Sequence, residues 1–337
     1  MTTPTIRHER RLDFASLRLD KNDPLAKRLD AGDLNVFFAR QLEHIEGETY
    51  DVQYPELIGK TLVPVNSRVG RGKKIYTYRQ FDKVGVAKLL ASYAEDLPRV
   101  DVRGREFSVR IEGYGASFGY SIQDIRAAAE ENVPLDAMKA EAARQVIETT
   151  LDKIAAIGDT DTGAVGLLNI ANATRVALPN GAGGKASWGK KTTLEILADL
   201  NALANKSYNL TYGIERAGTM VLPLDAFTLI STTPMSATIP NESILAVFLK
   251  NQQFVKEVVP WYRCTNAGLG GTLDRIVVYK KDPKKLEFIE PQPFEIFPPE
   301  AKNLEFVSPC HARTAGVVCR YPLSVTYGDM PATTTDA

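Results

Sequence analysis

"PLDAMKAEAARQVIETTLDKIAAIGDTDTGAVGLLN", residues 134–169, decides how the rest of the chain is read. Pro134 suits a first helical turn, where its missing N–H costs nothing, and Gly158 suits the position just past a helix end. Between them Leu135, Met138, Ala142, Val146, Thr150, Ile154 and Ile157 recur every three to four residues and predict the buried stripe of a helix. About 24 residues at ~1.5 Å each give a helix of roughly 36 Å. That is well above the usual length, so it is expected to act as a spine beneath a sheet.

The segment leaving this helix carries Asp159 and Asp161 among threonines and glycines. A calcium loop would place acids or amides at its first, third and fifth positions and a bidentate Glu at its twelfth. Here the fifth position is Gly163 and the twelfth is Ile170, so the ligand set is incomplete and the stretch reads as a helix exit.

Upstream, "KTLVPVNSRV" and "KKIYTYRQFDKVGV" flank "GRG" at 70–72, and the glycines suit a hairpin tip. Arms of about 12–15 residues at ~3.3 Å each give a ribbon of roughly 40–50 Å. Two-stranded ribbons are at best marginally stable in water, so this one needs a second surface. "EFSVRIE" follows with Phe107, Val109 and Ile111 on one face. Gly113, Gly115 and Gly119 are expected to loosen the chain before a short helix in "SIQDIRAAAEEN", with Ser121 as its cap and Asp124 three residues on. Residues 1–33 are rich in both charge signs and poor in large apolar groups, so they read as an arm without a core of its own.

Downstream of 176, helices in "TTLEILADLNALANKS" and "NESILAVFLKN" alternate with a buried strand in "GTMVLP" and a hairpin in "DRIVVYKKDPKKLEFIE" turning at Asp282-Pro283. This predicts a second α+β unit. In "AGVVCRYPLSVTYG", Val317, Cys319, Tyr321, Leu323, Val325 and Tyr327 share one face, and Pro322 predicts an edge or bulged strand.

The bulk numbers exclude several classes. Lys+Arg and Asp+Glu are equal at 41 each in 337 residues, against a dedicated nucleic-acid binder though compatible with one basic face. No stretch approaches the ~18 apolar residues of a membrane span, and the first residues lack the apolar core of a signal peptide. Cys264, Cys310 and Cys319 are odd in number, have no metal-type spacing and read as reduced thiols of a cytosolic compartment.

Enzymatic patterns fail in turn. "NGAGGKAS" at 180–187 has Pro179 where a phosphate loop needs glycine and Ala186 where it needs a hydroxyl. "GYGASFG" has the wrong spacing for a dinucleotide fingerprint. The histidines are His8, His44 and His311; Cys310 and His311 are strand neighbours that point to opposite faces, so they make no dyad. No carboxylate pair is signalled. No catalytic, cofactor or metal residue is assigned.

The order of parts resembles the major capsid protein of tailed bacteriophages, a fold shared with encapsulins. "YPELIGKTLVPVN" (54–66), "YTYRQFDKVGVAKLL" (76–90), "DLPRVDV" (96–102), the spine helix, "GAVGLLN" (163–169) and "RTAGVVCRYPLSVTYGD" (313–329) carry the likeness, which spans about residues 40–330. It implies an α+β fold with an N-terminal arm (1–50), an extended-loop hairpin, or E-loop (51–104), and a peripheral domain with the spine helix (105–175). An axial α+β domain (176–304) and a strand returning to the peripheral domain (305–337) complete it. The implied function is an icosahedral head shell around double-stranded DNA. The implied partners are other copies in pentamers and hexamers, a portal, scaffolding or decoration proteins, and DNA bound without sequence preference. No cofactor and no membrane are implied, and the implied location is the virion capsid, assembled in the bacterial host cytoplasm. Arg68, Arg71, Lys73 and Lys74, expected at the ribbon tip, are the candidate intersubunit contacts. Some family members crosslink such a lysine, which the sequence here gives no ground to claim. The alternatives are an encapsulin-type compartment holding protein cargo and a soluble hydrolase with a carboxylate site.

Overall fold

The computed structural model describes residues 54–87, 99–131, 135–236 and 239–333. The expected arm, with His8 and His44, lies outside them. From the body, α1 (Gly59–Leu62) and β1 (Val65–Asn66) lead to a ribbon of β2 (Ile75–Val84) and β3 (Asp101–Arg110). Then come β4 (Glu112–Ser121), α2 (Ile122–Glu131) and the spine, α3 (Leu135–Ile157). A helix-and-strand region follows: β5 (Thr174–Ala177), α4 (Thr193–Leu210), β6 (Thr219–Leu222), α5 (Leu224–Thr232), β7 (Pro234–Ser236), β8 (Ile239–Ser243), α6 (Ile244–Asn251), β9 (Glu257–Pro260) and β10 (Asp274–Tyr279). The rest is β-rich: β11 (Leu286–Ile289), β12 (Gln292–Ile296), β13 (Glu300–Lys302), β14 (Glu305–Thr314), β15 (Gly316–Cys319) and β16 (Val325–Met330).

The spine helix has the expected bounds, but its buried stripe shares only Ile154 with the expected one. Ala143, Ile147, Leu151 and Ile154 face inward, while Met138, Val146 and Ile157 are exposed. Two apolar stripes run side by side along this helix, and the sheet of β12, β14, β13 and β4 takes the one ending in Leu151. Spacing alone does not choose between adjacent stripes.

The chain closes the helix end itself. Gly158, at φ 71°, donates to Ile154 O. Leu167 and Leu168 N–H then donate to the carbonyls of Ala155 and Ala156, and Asn169 Nδ2 donates to Ile157 O. All four terminal carbonyls are thereby satisfied. Ser121 and Asp124 cap α2 reciprocally, each side chain accepting the other's N–H.

Five strands in the order β5-β16-β10-β6-β9 form the central sheet. Its alternation separates two cores. Val221, Val277, Tyr279, Val325 and Tyr327 join the core that holds the end of the spine helix. Met220, Leu222, Ile276, Val278 and Met330 join the core built with α4, α5 and α6. Both faces are therefore apolar, and β6 and β10 are buried throughout.

Four further expectations need correction. First, β2 pairs in register with β3, from Ile75↔Arg110 to Val84↔Asp101. The far end of the pairing is therefore Val84↔Asp101, and "GRG" at 70–72 sits at the ribbon's base. Second, β10 and β11 are not a hairpin; β10 pairs with β16 and β6, whereas β11 pairs with β1 and β15. The Asp282-Pro283 turn sends the chain from one sheet to another. Third, Pro322 does not lie in a continuous edge strand. It opens a 3-10 turn at 322–324, and the strand beyond it, β16, runs between β5 and β10 inside the central sheet. Of the C-terminal segment, β14 pairs with β4 and β16 with that central sheet. Fourth, the glycines after residue 112 do not loosen the chain. Gly113, Gly115 and Gly119 belong to β4, which pairs with β14 over ten positions. A Cβ at Gly113 would meet the His311 side chain at 2.5 Å, and one at Gly119 would meet that of Glu305 at 2.5 Å. Those glycines leave room for cross-strand side chains.

Candidate intersubunit surface

Among the described residues the ribbon is left largely uncovered beyond its base. Ten pairs at ~3.3 Å give a paired length of roughly 33 Å. One face carries Tyr76, Tyr78, Phe107 and Val109 near the base, then Gln80, Asp82, Val84, Arg105, Arg103 and Asp101. The other carries Ile75, Thr77, Arg79, Phe81, Lys83, Val102, Gly104, Glu106, Ser108 and Arg110. Only the base is packed: Tyr76, Tyr78 and Val109 lie against Ile111, Ile289, Ala315 and Val318. Further out, Phe81 is 67% and Val102 55% exposed.

Local chemistry explains why the strands pair at all. Tyr78 and Phe107 are cross-strand partners with rings stacked at 5.2 Å. Arg79 Nε reaches Glu106 Oε2 at 3.1 Å. The Phe81 ring covers Gly104 directly opposite, supplying the contact that a glycine lacks. Such pairs contribute about 0.2–1 kcal/mol each, enough to register two strands and too little to hold them rigid.

Arg68, Arg71, Lys73 and Lys74 are all exposed, but they lie at the ribbon's base. There Arg71 makes a rim ion pair with Glu295 at 3.5 Å. Two further residues, unmarked by the sequence reading, hold this base: Arg313 and Arg320. In the sequence they bracket the uncharged run "TAGVVC", which says nothing of their distant partners.

The other candidate sites resolve into structure. Asp159 accepts from Asp161 N–H at 3.1 Å and from Tyr114 Oη at 3.0 Å, and the Asp161 bond holds its carboxyl below the usual range. In the 180–187 loop the N–H groups of Gly181 and Gly184 close local turns, and that of Ala182 donates to Glu195 at 2.7 Å. Glu195 also completes the capping box of α4 with Thr192. No phosphate cradle is left. Cys310 is buried with its thiol pushed up by desolvation, and its strand neighbour His311 crosses toward Gly113. Cys264 is likewise buried. Among the described residues no three His, Cys, Asp or Glu side chains form a metal-type group, and no helix is long and apolar enough to cross a membrane.

A family model described as "Major capsid protein" matches residues 85–330, more than half of the chain. The chain belongs to the major capsid protein family. As a major capsid protein it is a structural component of a shell rather than an enzyme, and self-association into that shell is its role. No curated protein matches. Among solved structures, the capsid of Myoviridae phage XM1 is similar with a TM-score of 0.76 at 15% identity, over 87% of this chain and 98% of that one. A chain of Mycobacterium phage Ogopogo is similar at 0.58 and 10% identity, over 86% and 96%. The capsid of an empty GTA particle gives 0.56 and 12%, over 87% and 96%. These likenesses give the fold, a mixed α+β fold shared with those phage and particle capsids.

Proposed function

We propose that this chain builds the icosahedral head shell of a tailed phage around double-stranded DNA, in pentamers and hexamers assembled in the host cytoplasm. The ribbon carries the reading. Its outer part has apolar side chains on both faces that none of the described residues covers, as a strand pair made to lie on a neighbouring copy would have. Full covering of Phe81 and Val102 on one face, or of Val84 on the other, contributes about 1.5–3 kcal/mol each, repeated at every copy. The four basic residues at the base, Arg68, Arg71, Lys73 and Lys74, are proposed as contacts to an acidic rim, steering docking more than adding affinity. Residues 51–104 then form the E-loop, 105–175 the peripheral domain and 176–304 the axial domain, with 305–337 returning to the body. A portal, scaffolding or decoration proteins and packaged DNA complete the set of partners. Neither a protein-cargo compartment nor a hydrolase is favoured by the family match.

Replacing residues 79–106 by Asn-Gly keeps the packed base and removes the outer ribbon. The variant is expected to melt cooperatively like the parent and to form no megadalton particles by light scattering and electron microscopy. Shells at the parent's yield would remove the role given to the ribbon, and an unfolded product would place it in the subunit core.

A further inference from the structure

Beyond the apolar contacts of Tyr76, Tyr78 and Val109 at its base, the ribbon has no packing among the described residues to fix its direction. Two guanidinium groups from the C-terminal part of the chain reinforce that base. Arg313, on β14, donates through Nη1 to the Arg71 carbonyl and through Nη2 to Lys73 O at 2.9 Å, with Ile111 O at 3.5 Å. Arg320, just past β15, donates through Nη2 to Tyr76 Oη at 2.8 Å and to Glu287 Oε2 at 2.6 Å. Its Nη1 donates to Pro283 O at 2.7 Å, and its guanidinium lies 5.8 Å from the Tyr78 ring centre. Glu287 also accepts from Asn66 Nδ2 at 3.0 Å, on the segment that leads into the ribbon. Entry loop, first strand and exit are thus each tied to the body. A planar fork with five donors can serve two or three acceptors at fixed angles, which an ammonium cannot.

We propose that Arg313 and Arg320 are positioning residues for assembly: they fix the angle at which the ribbon leaves the body, presetting it for a neighbouring copy. The consequence for shells rests on the assembly reading above; the fixing of the ribbon does not.

Tyr76→Phe removes only the ribbon's half of the Arg320 contact and leaves the Arg320–Glu287 pair intact. Arg313→Met removes the other grip, and Arg313→Lys keeps its charge. The full chain, dissociated to subunits, is treated with limiting trypsin, which has sites in the ribbon at Arg79, Lys83, Arg103 and Arg105. Ribbon cleavage is expected to accelerate about two- to tenfold per hydrogen bond removed, and most in Tyr76→Phe with Arg313→Met. Arg313→Lys should fall between parent and Arg313→Met. Melting of Tyr76→Phe should match the parent, and reassembled particles of the double variant should lose uniform diameter. Cleavage at the parent's rate in the double variant overturns the proposal, as does loss of cooperative melting in Tyr76→Phe, which would make Tyr76 a core residue. Faster cleavage with shells of parental yield and diameter overturns the link to assembly alone.

Discussion

Removing one oxygen from Tyr327 should weaken the whole body of the subunit. Tyr327 is fully buried in β16, and its hydroxyl makes two bonds across the central sheet. It donates to Leu167 O at 2.6 Å and accepts from Ile170 N–H at 3.0 Å. Both partners lie in the segment that folds back after the spine helix. Burial pushes the phenol pKa upward, so it stays a neutral donor at any working pH. Tyr327→Phe keeps the ring, including its place 4.6 Å from the Arg275 guanidinium, but leaves a buried acceptor and a buried donor unpaired. Each such orphan costs about 1–3 kcal/mol, so the pair should cost about 2–6 kcal/mol. Unfolding entropy of ~2.1 cal/mol/K per residue over about 280 residues gives ~0.6 kcal/mol/K, hence a fall in Tm of about 3–10 °C. Calorimetry of dissociated subunits at neutral pH measures this directly. Tyr321→Phe, at a side chain 46% exposed, should stay within about 0.5 kcal/mol of the parent. Equal Tm values for parent and Tyr327→Phe would falsify the idea that this hydroxyl joins the helix exit to the sheet.

Two other perturbations have outcomes fixed by the coordinates. Gly158 and Gly163 both have positive φ, 71° and 74°, but a Cβ at Gly158 would meet Ala164 O at 2.1 Å whereas one at Gly163 meets nothing within 4 Å. Gly163→Ala should therefore cost only the backbone term of about 1–2 kcal/mol, and Gly158→Ala clearly more; equal melting of the two variants would refute the close approach. Glu290 has its carboxyl raised from the ordinary 4.5, first by burial, with Lys60 at 2.6 Å opposing. A raised acid adds stability that is complete below its unfolded value and is lost as pH rises through the folded one. The Tm of the parent minus that of Glu290→Gln should thus fall from pH 4 toward neutrality, and a difference that grows with pH would show that the Lys60 pair prevails.

The spine helix was legible because its stop signals are local: a proline before it and a glycine whose φ only a residue without Cβ adopts easily. The helix cap at Ser121 and the buried strand at 219–222 were legible on similar grounds. What failed were questions of partnership. Two strands flanking a turn read as a hairpin in both "NSRVGRGKKIY" and "VVYKKDPKKLEF", yet in both cases the strands pair elsewhere, because long-range sheet contacts outweigh proximity in sequence. The same applies to Val146 against Ile147 on the spine, where the packed face is chosen by the opposing sheet. At the candidate surface, exposure of the ribbon was foreseeable from its poor apolar content. The grip of Arg313 and Arg320 was not, since it joins residues more than 200 positions apart.

The place of β16 has a consequence for synthesis. Among the strands of the central sheet it is the last to leave the ribosome, yet it sits between β5 and β10. Until it emerges, β10 lacks its longest partner, one core lacks Val325 and Tyr327, and the other lacks Met330. A nascent chain can therefore have its ribbon strands complete while the central sheet of its body is still open between β5 and β10.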